Sequence, residues 1–457
     1  MKSEAHNPRL AVLQVSSVEA APSFSPNASQ SELSRHRSLW TRFAQRPALV
    51  GTVLGILSLA FFLAGIGKPA IMYYDEGLYV PEARAFSHWA IDEPTRTHNL
   101  ARPPFGKMLM AVGIKAAGDT PFGWRVGSAV CGALTLVAVY LWTLLLLGDP
   151  RAAALAAVLT LFNNFLFVMS RVGMMDSFLV FFLMWSIVAY TAAIALAVSV
   201  GRRRLLLGCC GVLIGLGAAV KWNAVDTLAV LVLVSVALLW VARRSPSDSI
   251  PSLSRYARNM QRIGVPSLLL GLIVAPVVFY SLTYWPLCRI LGRPFTFAEV
   301  LGIHRYMWYL STHWATNKAI TSAWYTWPFS LSPQRALSYL LANPVVAWGG
   351  IIALLLCLWR FAKTPALPEG LVLLLFAANF FQWAVTPEKG LVYYYYYPAV
   401  MILGVAIAVA LRSLPRSVFG VRISLVVVVL AAAVFLWCFP RMTHLQSPWD
   451  CALGCWN

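Results

Sequence analysis

The chain has 457 residues, 59% of them hydrophobic and only 12% charged, where a soluble globular protein carries about 25% charged residues. With a mean hydropathy of +0.70, this composition excludes a soluble multidomain enzyme, a disordered chain and a disulfide-stapled one. The net charge of +19 would point to nucleic acid on a soluble protein, but on a membrane protein it fits basic loops gathered on one face.

Residues 1–46 are polar and aperiodic, with no apolar core near the start, so a disordered basic tail is expected rather than a cleavable signal peptide. The tail ends in Arg35, Arg37, Arg42 and Arg46. A spanning helix needs about 20 mostly apolar residues. Such runs start near 47, 124, 151, 174, 205, 224, 264, 345, 368, 391 and 419. They predict an all-α membrane protein with about eleven transmembrane helices over 47–441. Two connecting segments are long, 71–122 and 286–343, and 442–457 form a tail.

An odd span count puts the two ends of the chain on opposite sides. With the N-terminus in the cytoplasm, the inside segments carry +14 and the outside segments +5, and the short basic loops GRRR, ARR, WRFAK and LRSLPR all fall inside. That is the asymmetry of the positive-inside rule, and it accounts for the net charge without nucleic acid. Both long loops and the C-terminal tail are thereby expected outside. Cys131, Cys209, Cys210, Cys288, Cys357 and Cys438 lie in or beside apolar runs and read as small hydrophobes. Without a CxxC or a His cluster no zinc site is expected. Cys451 and Cys455 are either two free thiols or a short extracytoplasmic disulfide.

The informative charges collect on the outer face. The first outer loop opens on Tyr73-Tyr74-Asp75-Glu76, whose acids could simply cap a helix. It continues through Arg102-Pro103-Pro104 to Lys107, where the prolines hold the chain extended. Arg125 heads the second span, where snorkelling to head groups is the plain alternative. Arg171 and Asp176 sit on one turn and could pair with each other. Lys221 could pair with Asp226 or face a lipid phosphate. Tyr393 to Tyr397 read as an interfacial aromatic belt.

Taken together, acids, bases and aromatics share one face, whereas the other face has plain arginines. A carboxylate there can take a proton from an acceptor hydroxyl, and cations can hold a departing phosphate. Nucleotide sugars are cytoplasmic, and no P-loop or dinucleotide fingerprint is present. An outward site of this kind therefore needs a donor delivered through the membrane, which a polyprenyl-phosphate sugar satisfies. A transporter or flippase is the competing class. It calls for internal repeats and midplane polar groups, whereas here no repeat is evident and the charges sit at span ends. A scaffold membrane protein, with the acids as mere caps, is the third.

The segments YYDEGLYVPEAR, RPPFGK, FGWRVGSAVCGALT, SRVGMMDSFLVFF and GLGAAVKWN, in this order, resemble the protein O-mannosyltransferase family of large polytopic (C-type) glycosyltransferases. The resemblance is good over about residues 47–240. It continues more weakly through His304 to Trp314, Trp324 to Pro328 and YYYYYPAV. It implies eleven membrane helices with an amphipathic first outer loop, an N-terminus inside, a C-terminus outside, and inverting transfer of mannose from a polyprenyl-phosphate carrier to Ser or Thr of exported proteins. By the same resemblance Asp75 is the catalytic base, with Glu76 beside it. Arg125 matches an essential arginine and is expected at the donor phosphate, together with Arg171, Asp176, Lys221 and Lys107 as further phosphate-binding and supporting residues.

The sequence departs from the family pattern in three places. Arg102 stands where His is common, the segment 286–343 is too short for the lumenal domain of eukaryotic members, and the Tyr run replaces a mixed pattern. A bacterial-type member in the plasma membrane is expected, with lipid A or a cell-wall glycan as alternative acceptors. No cofactor and no metal are expected.

Overall fold

In the computed structural model, residues 46–72, 75–90, 102–244, 250–313, 321–329, 340–386, 391–412 and 418–443 are described. Among them nearly everything regular is helical, apart from an isolated bridge between Thr321 and Val392. The chain from Arg46 onward forms one compact unit. The N-terminal segment, Glu388, Lys389, Cys451 and Cys455 lie outside the described residues.

Sixteen helices matter here: α1 Pro47–Leu63, α2 Glu76–His88, α3 Phe105–Ala117, α4 Pro121–Leu147, α5 Pro150–Leu161, α6 Asn164–Met169, α7 Met175–Ala195, α8 Val200–Ala218, α9 Ala224–Ala242, α10 Pro251–Ile263, α11 Val265–Ile290, α12 Phe297–His313, α13 Pro344–Lys363, α14 Leu367–Val385, α15 Tyr397–Leu411 and α16 Val418–Met442. The amphipathic first loop is α2 and α3, packed on each other, with α3 also against α4. Helices stand at or near every predicted start. Eight of them are long and apolar enough to cross a membrane, while α1 and α5 are shorter and α8 carries Arg202, Arg203 and Arg204 in its first turn.

The boundaries follow local chemistry. Thr120 caps α4 by accepting from the Gly123 N–H at 3.4 Å, with Pro121 at the first helical position. Gly148 closes that helix at φ 64°, and Asp149 caps α5 at once through the Arg151 N–H at 2.9 Å. Cap, proline and left-handed glycine are the expected signals for a tight helical hairpin. Between α8 and α11 a Cβ on Gly211 would run into the Gly271 carbonyl; glycine lets the backbones touch where α11 widens into a π turn at Leu270–Val274.

Burial sorts the helices. α7 and α15 are the most enclosed, and their hydrophobicity is spread around the whole helix, as an interior position requires. α11 and α16 instead show large apolar side chains on the surface, among them Leu270, Ile273, Val277, Leu425, Val429 and Leu436. A surface so apolar is suited to lipid.

Because α8 spans about 28 Å at 1.5 Å per residue, its ends define two ends of the bundle. Near its start the arginines serve helix termini. Arg203 donates to the Ala193 carbonyl at 2.7 Å, Arg204 to Ile263 at 3.2 Å and Arg360 to Ala410 at 2.8 Å, each in the last turn of a helix. Arg412 pairs with Glu369 at 2.7 Å. Last-turn carbonyls lack intrahelical partners and sit at the negative end of the dipole, so arginine suits them. Beyond the other end of α8 stands Lys221, in the surroundings described next.

Candidate active site

The segment leaving α1 has no regular structure, and two arginines from later in the chain hold it. Arg171 donates to the carbonyls of Phe62 and Ala64. Arg125, fully buried, engages all five of its N–H groups. Nε and Nη2 reach the two oxygens of Glu76 at 2.8 Å each, Nη1 reaches the carbonyls of Ile66 and Pro69 at 3.1 and 3.0 Å, and Nη2 also reaches Ile71 at 2.9 Å. Glu76, equally buried, further accepts from the Gly173 N–H at 2.7 Å. The guanidinium fork thus closes on a carboxylate and three carbonyls, a bidentate pair of the strong kind.

This differs from the expectation for both residues. Arg125 was expected to grip a donor phosphate or to snorkel. It does not snorkel, because it is enclosed, and its donors already serve the Glu76 carboxylate and the 66–71 carbonyls. Arg171 and Asp176 do not pair either, since Arg171 is turned toward α1.

Asp75, one residue earlier, is arranged differently. It occupies the cap position of α2, yet its side chain makes no capping hydrogen bond, which removes the plain helix-cap reading. Its Oδ2 accepts from the Tyr394 hydroxyl at 2.8 Å. Burial raises its carboxyl above the ordinary carboxylate range, against the downward pull of the Tyr394 hydrogen bond and the Lys221 ammonium. A carboxylate shifted upward is a stronger proton acceptor when ionised.

Lys221 pairs with Asp176, its Nζ 2.8 and 2.7 Å from the two carboxylate oxygens, rather than with Asp226. The same Nζ lies 5.3 Å from the ring centre of Tyr394 and 5.0 Å from that of Tyr395, within cation–π range. From the other side, Arg102 Nη2 donates to the Tyr395 hydroxyl at 3.3 Å. Lys107 donates to the Arg102 carbonyl at 3.0 Å and stands 3.2 Å from Glu82. Burial pushes Glu82 up to about 7 and pulls Lys107 down. The tyrosines are therefore not an interfacial belt. Tyr393 to Tyr397 are all buried, because a short 3-10 turn at Tyr393–Tyr396 leads directly into α15 at the centre of the bundle.

Beside this network opens a cavity of about 540 Å³. Arg102, Lys221, Asn223 and Tyr395 line its polar part, and Trp308, Phe381 and Val385 its apolar part. The apolar residues are themselves surface-exposed, so the cavity opens from the Lys221 ammonium to an exposed apolar mouth. Its floor is fixed by Asn223 donating to Gln382 at 2.7 Å and by Trp222 donating to Tyr280 at 2.9 Å, with His304 stacked on Trp222 at 6.1 Å. Asp75, Asp176, Glu76, Arg125 and Arg171 are not among the lining residues; Asp176 adjoins the cavity through its pair with Lys221, and Asp75 through Tyr394, whose ring lies 5.3 Å from the Lys221 ammonium.

Of the residues expected from sequence, then, Asp75, Asp176 and Lys221 come together beside the cavity, Lys107 supports it from behind, and Glu76, Arg125 and Arg171 form a separate clamp. Tyr394, Tyr395, Glu82 and Gln382 were missed. Tyr394 and Tyr395 belong to a run whose composition also suits a belt, and Glu82 has no motif beyond standing in YYDEGLYVPEAR.

The comparisons with known proteins agree with the resemblance. The sequence model of the Dolichyl-phosphate-mannose-protein mannosyltransferase family matches residues 114–291. A polyprenol-phosphate-mannose–protein mannosyltransferase of Corynebacterium glutamicum is 24% identical over 422 residues, covering 78% of this chain and 80% of its own. Its counterpart from Mycobacterium tuberculosis is 24% identical over 475 residues, covering 88% of each. Among solved structures, the S. cerevisiae protein O-mannosyltransferase Pmt1-Pmt2 complex bound to the sugar donor matches at TM-score 0.75 with 14% identity, over 94% of both chains. ArnT from Cupriavidus metallidurans, bound to undecaprenyl phosphate, matches at TM-score 0.58 with 17% identity, over 87% of this chain and 66% of its own. The fold is the one shared by these solved polytopic glycosyltransferases, and the family model and the curated relatives bear the same mannosyltransferase names as the family that the motifs resemble.

Proposed function

We propose, with that family match as premise, that the chain is a membrane mannosyltransferase using a polyprenyl-phosphate-mannose donor. It moves the sugar, with inversion, to a Ser or Thr hydroxyl of an exported protein. The observation that carries this reading is the Asp75 carboxylate, half-buried, raised in basicity and held by Tyr394 beside a cavity that combines Lys221 and Arg102 with an exposed apolar mouth.

The donor's polyprenyl tail enters from the bilayer past Trp308, Phe381 and Val385, and its phosphate meets Lys221 and Arg102. Asp75 accepts the acceptor's hydroxyl proton as that oxygen attacks the anomeric carbon opposite the phosphate. The carbon–phosphate-oxygen bond breaks with its electron pair going to the phosphate. The products are the inverted mannoside, polyprenyl phosphate and a protonated Asp75. The leaving phosphate gains charge, so cations at its position stabilise the transition state more than the ground state. Glu76, Arg125 and Arg171 hold the loop that presents Asp75. Asp176 fixes Lys221, and Glu82 with Lys107 fixes Arg102. The membrane is the bacterial plasma membrane, with the Asp75 end and the C-terminus outside and the N-terminus inside, in keeping with the +14 against +5 charge balance.

The test is to incubate the purified protein in lipid with labelled polyprenyl-phosphate sugars and candidate acceptors. Label on Ser or Thr of an exported protein, lost with Asp75→Asn, is the expected result. Label on lipid A or a cell-wall glycan would redirect the acceptor assignment. Equal turnover of wild type and Asp75→Asn would overturn the mechanism.

A further inference from the structure

The bundle end opposite Asp75 carries a second cavity, of about 470 Å³, between the turn at 195–198 and the helices α8 and α10. Four arginines line it, Arg203, Arg255, Arg258 and Arg262, together with Asn259, and none of its lining residues is a carboxylate. Arg203 is buried and locked by the Ala193 carbonyl at 2.7 Å. Asn259 is also buried and donates to Ile194 at 2.8 Å. Arg262 stands close enough to Arg203 for the two charges to repel.

Helix α10 explains how the arginines come to face one way. Tyr256, Ala257, Met260 and Ile263 are buried, whereas Arg255, Arg258 and Arg262 are exposed. Spacings of three and four put each set on one face, so α10 lies with its apolar side on the bundle and its basic side against the turn that ends α7. Like charges held this near one another by buried anchors, with no acid among them, are stabilised by an anion. Guanidinium forks match the tetrahedral oxygens of a phosphate, and basic pockets between helices at the inner surface are suited to anionic head groups.

We propose that this cavity is a phosphate-binding site, distinct from the donor cavity and independent of the transfer reaction. A phosphodiester headgroup of an anionic lipid and a free phosphate share the required chemistry. The experiment separates them. The full-length protein is placed in nanodiscs of phosphatidylcholine alone or with phosphatidylglycerol, and lipid retained through detergent exchange is counted by native mass spectrometry. Thermal stability is followed in parallel with inorganic phosphate. Wild type is expected to retain phosphatidylglycerol, and Arg258→Gln/Arg262→Gln to lose roughly tenfold or more of that retention. Arg258→Lys/Arg262→Lys should fall between, since charge remains and the fork is lost. If inorganic phosphate displaces the lipid and stabilises the protein equally in pure phosphatidylcholine, the soluble ion is the ligand. Should wild type and the double Gln variant retain phosphatidylglycerol alike and respond alike to phosphate, the proposal is overturned. Both substituted residues are exposed on α10, so the variants are expected to fold, and single Arg262→Gln serves if the double variant does not.

Discussion

The two ends of the helix bundle use charge in different ways. At the Arg203 end, cations meet backbone. Arg203, Arg204 and Arg360 each close the last turn of a neighbouring helix, and the Arg412–Glu369 pair has its arginine a third exposed. At the Asp75 end, cations meet carboxylates in enclosure: Arg125 with Glu76, Lys221 with Asp176 and Lys107 with Glu82. A capped carbonyl keeps a helix end satisfied and asks little of position. A buried ion pair needs its partner in place, because either half alone is an uncompensated charge in a poor dielectric. The contrast separates an end where arginines close helix termini from an end where each buried charge depends on one partner.

The largest effect should come from the carboxylate that has no full cation partner. Asp75→Asn is expected to lower turnover by roughly 10²–10⁴-fold, the usual worth of a positioned base, while the protein inserts and melts normally. A melting shift as large as that of a clamp variant would make Asp75 another structural acid.

Next comes the clamp itself. Arg125→Ala leaves Glu76 buried without its cation, and breaking such a pair costs about 3–5 kcal/mol. Folded yield in mild detergent should therefore collapse, and Arg125→Ala/Glu76→Gln should recover part of it. Arg125→Lys should also fail, since one ammonium cannot replace five donors aimed at a carboxylate and three carbonyls. A well-folded Arg125→Lys that is merely slow would return Arg125 to the phosphate.

A smaller and more diagnostic effect is expected for Tyr394→Phe. The Tyr394 hydroxyl bonds to the charged form of Asp75 and pulls its pKa down; removing it favours the protonated form. Base catalysis needs the ionised form, so rate is lost as pH falls through the Asp75 pKa. The acid limb of the rate–pH profile of Tyr394→Phe should accordingly move to higher pH than in wild type. A profile that scales down without moving would show that the hydroxyl does not reach Asp75.

The smallest effect is expected at the other end. Arg412→Gln removes an arginine that is a third exposed, while the Glu369 carboxylate it pairs with is buried, so the cost should lie above that of a surface pair and below the about 3–5 kcal/mol of a fully buried one. Turnover should be unchanged and the melting midpoint should fall by less than in the Arg125 variants. A large loss of transfer would mean that the two ends are coupled, and the contrast between them would not stand.

Much of the fold was legible because lipid imposes one rule on composition. Apolar runs mark helices, and helix caps such as Thr120 and Asp149 depend only on their own neighbours. The residues of the candidate site were legible too, since Asp75, Asp176 and Lys221 stand in the motifs. Their partners were not. Glu76 and Arg125 are 49 positions apart, Asp176 and Lys221 are 45, and Asp75 and Tyr394 are 319. Pairing at such separations is decided by packing, which a linear pattern does not encode. The nearer choices, Arg171 with Asp176 and Lys221 with Asp226, were both wrong for that reason. The Tyr run misled because an aromatic cluster at a helix end looks the same whether the helix is peripheral, as a belt requires, or central, as α15 is.

The clamp on the segment after α1 also sets an order of events. The loop bearing Asp75 is made early, but Arg125 and the 171–173 turn that pin it are made later, Lys221 later again, and Tyr394 almost at the end. During synthesis the carbonyls of this segment and Glu76 lack the partners that Arg125, Arg171 and Gly173 supply until those residues have been made. A chain that stops short of Tyr394 has its acids but lacks the hydroxyl that holds Asp75, so the centre is assembled only once the segment leading into α15 is in place.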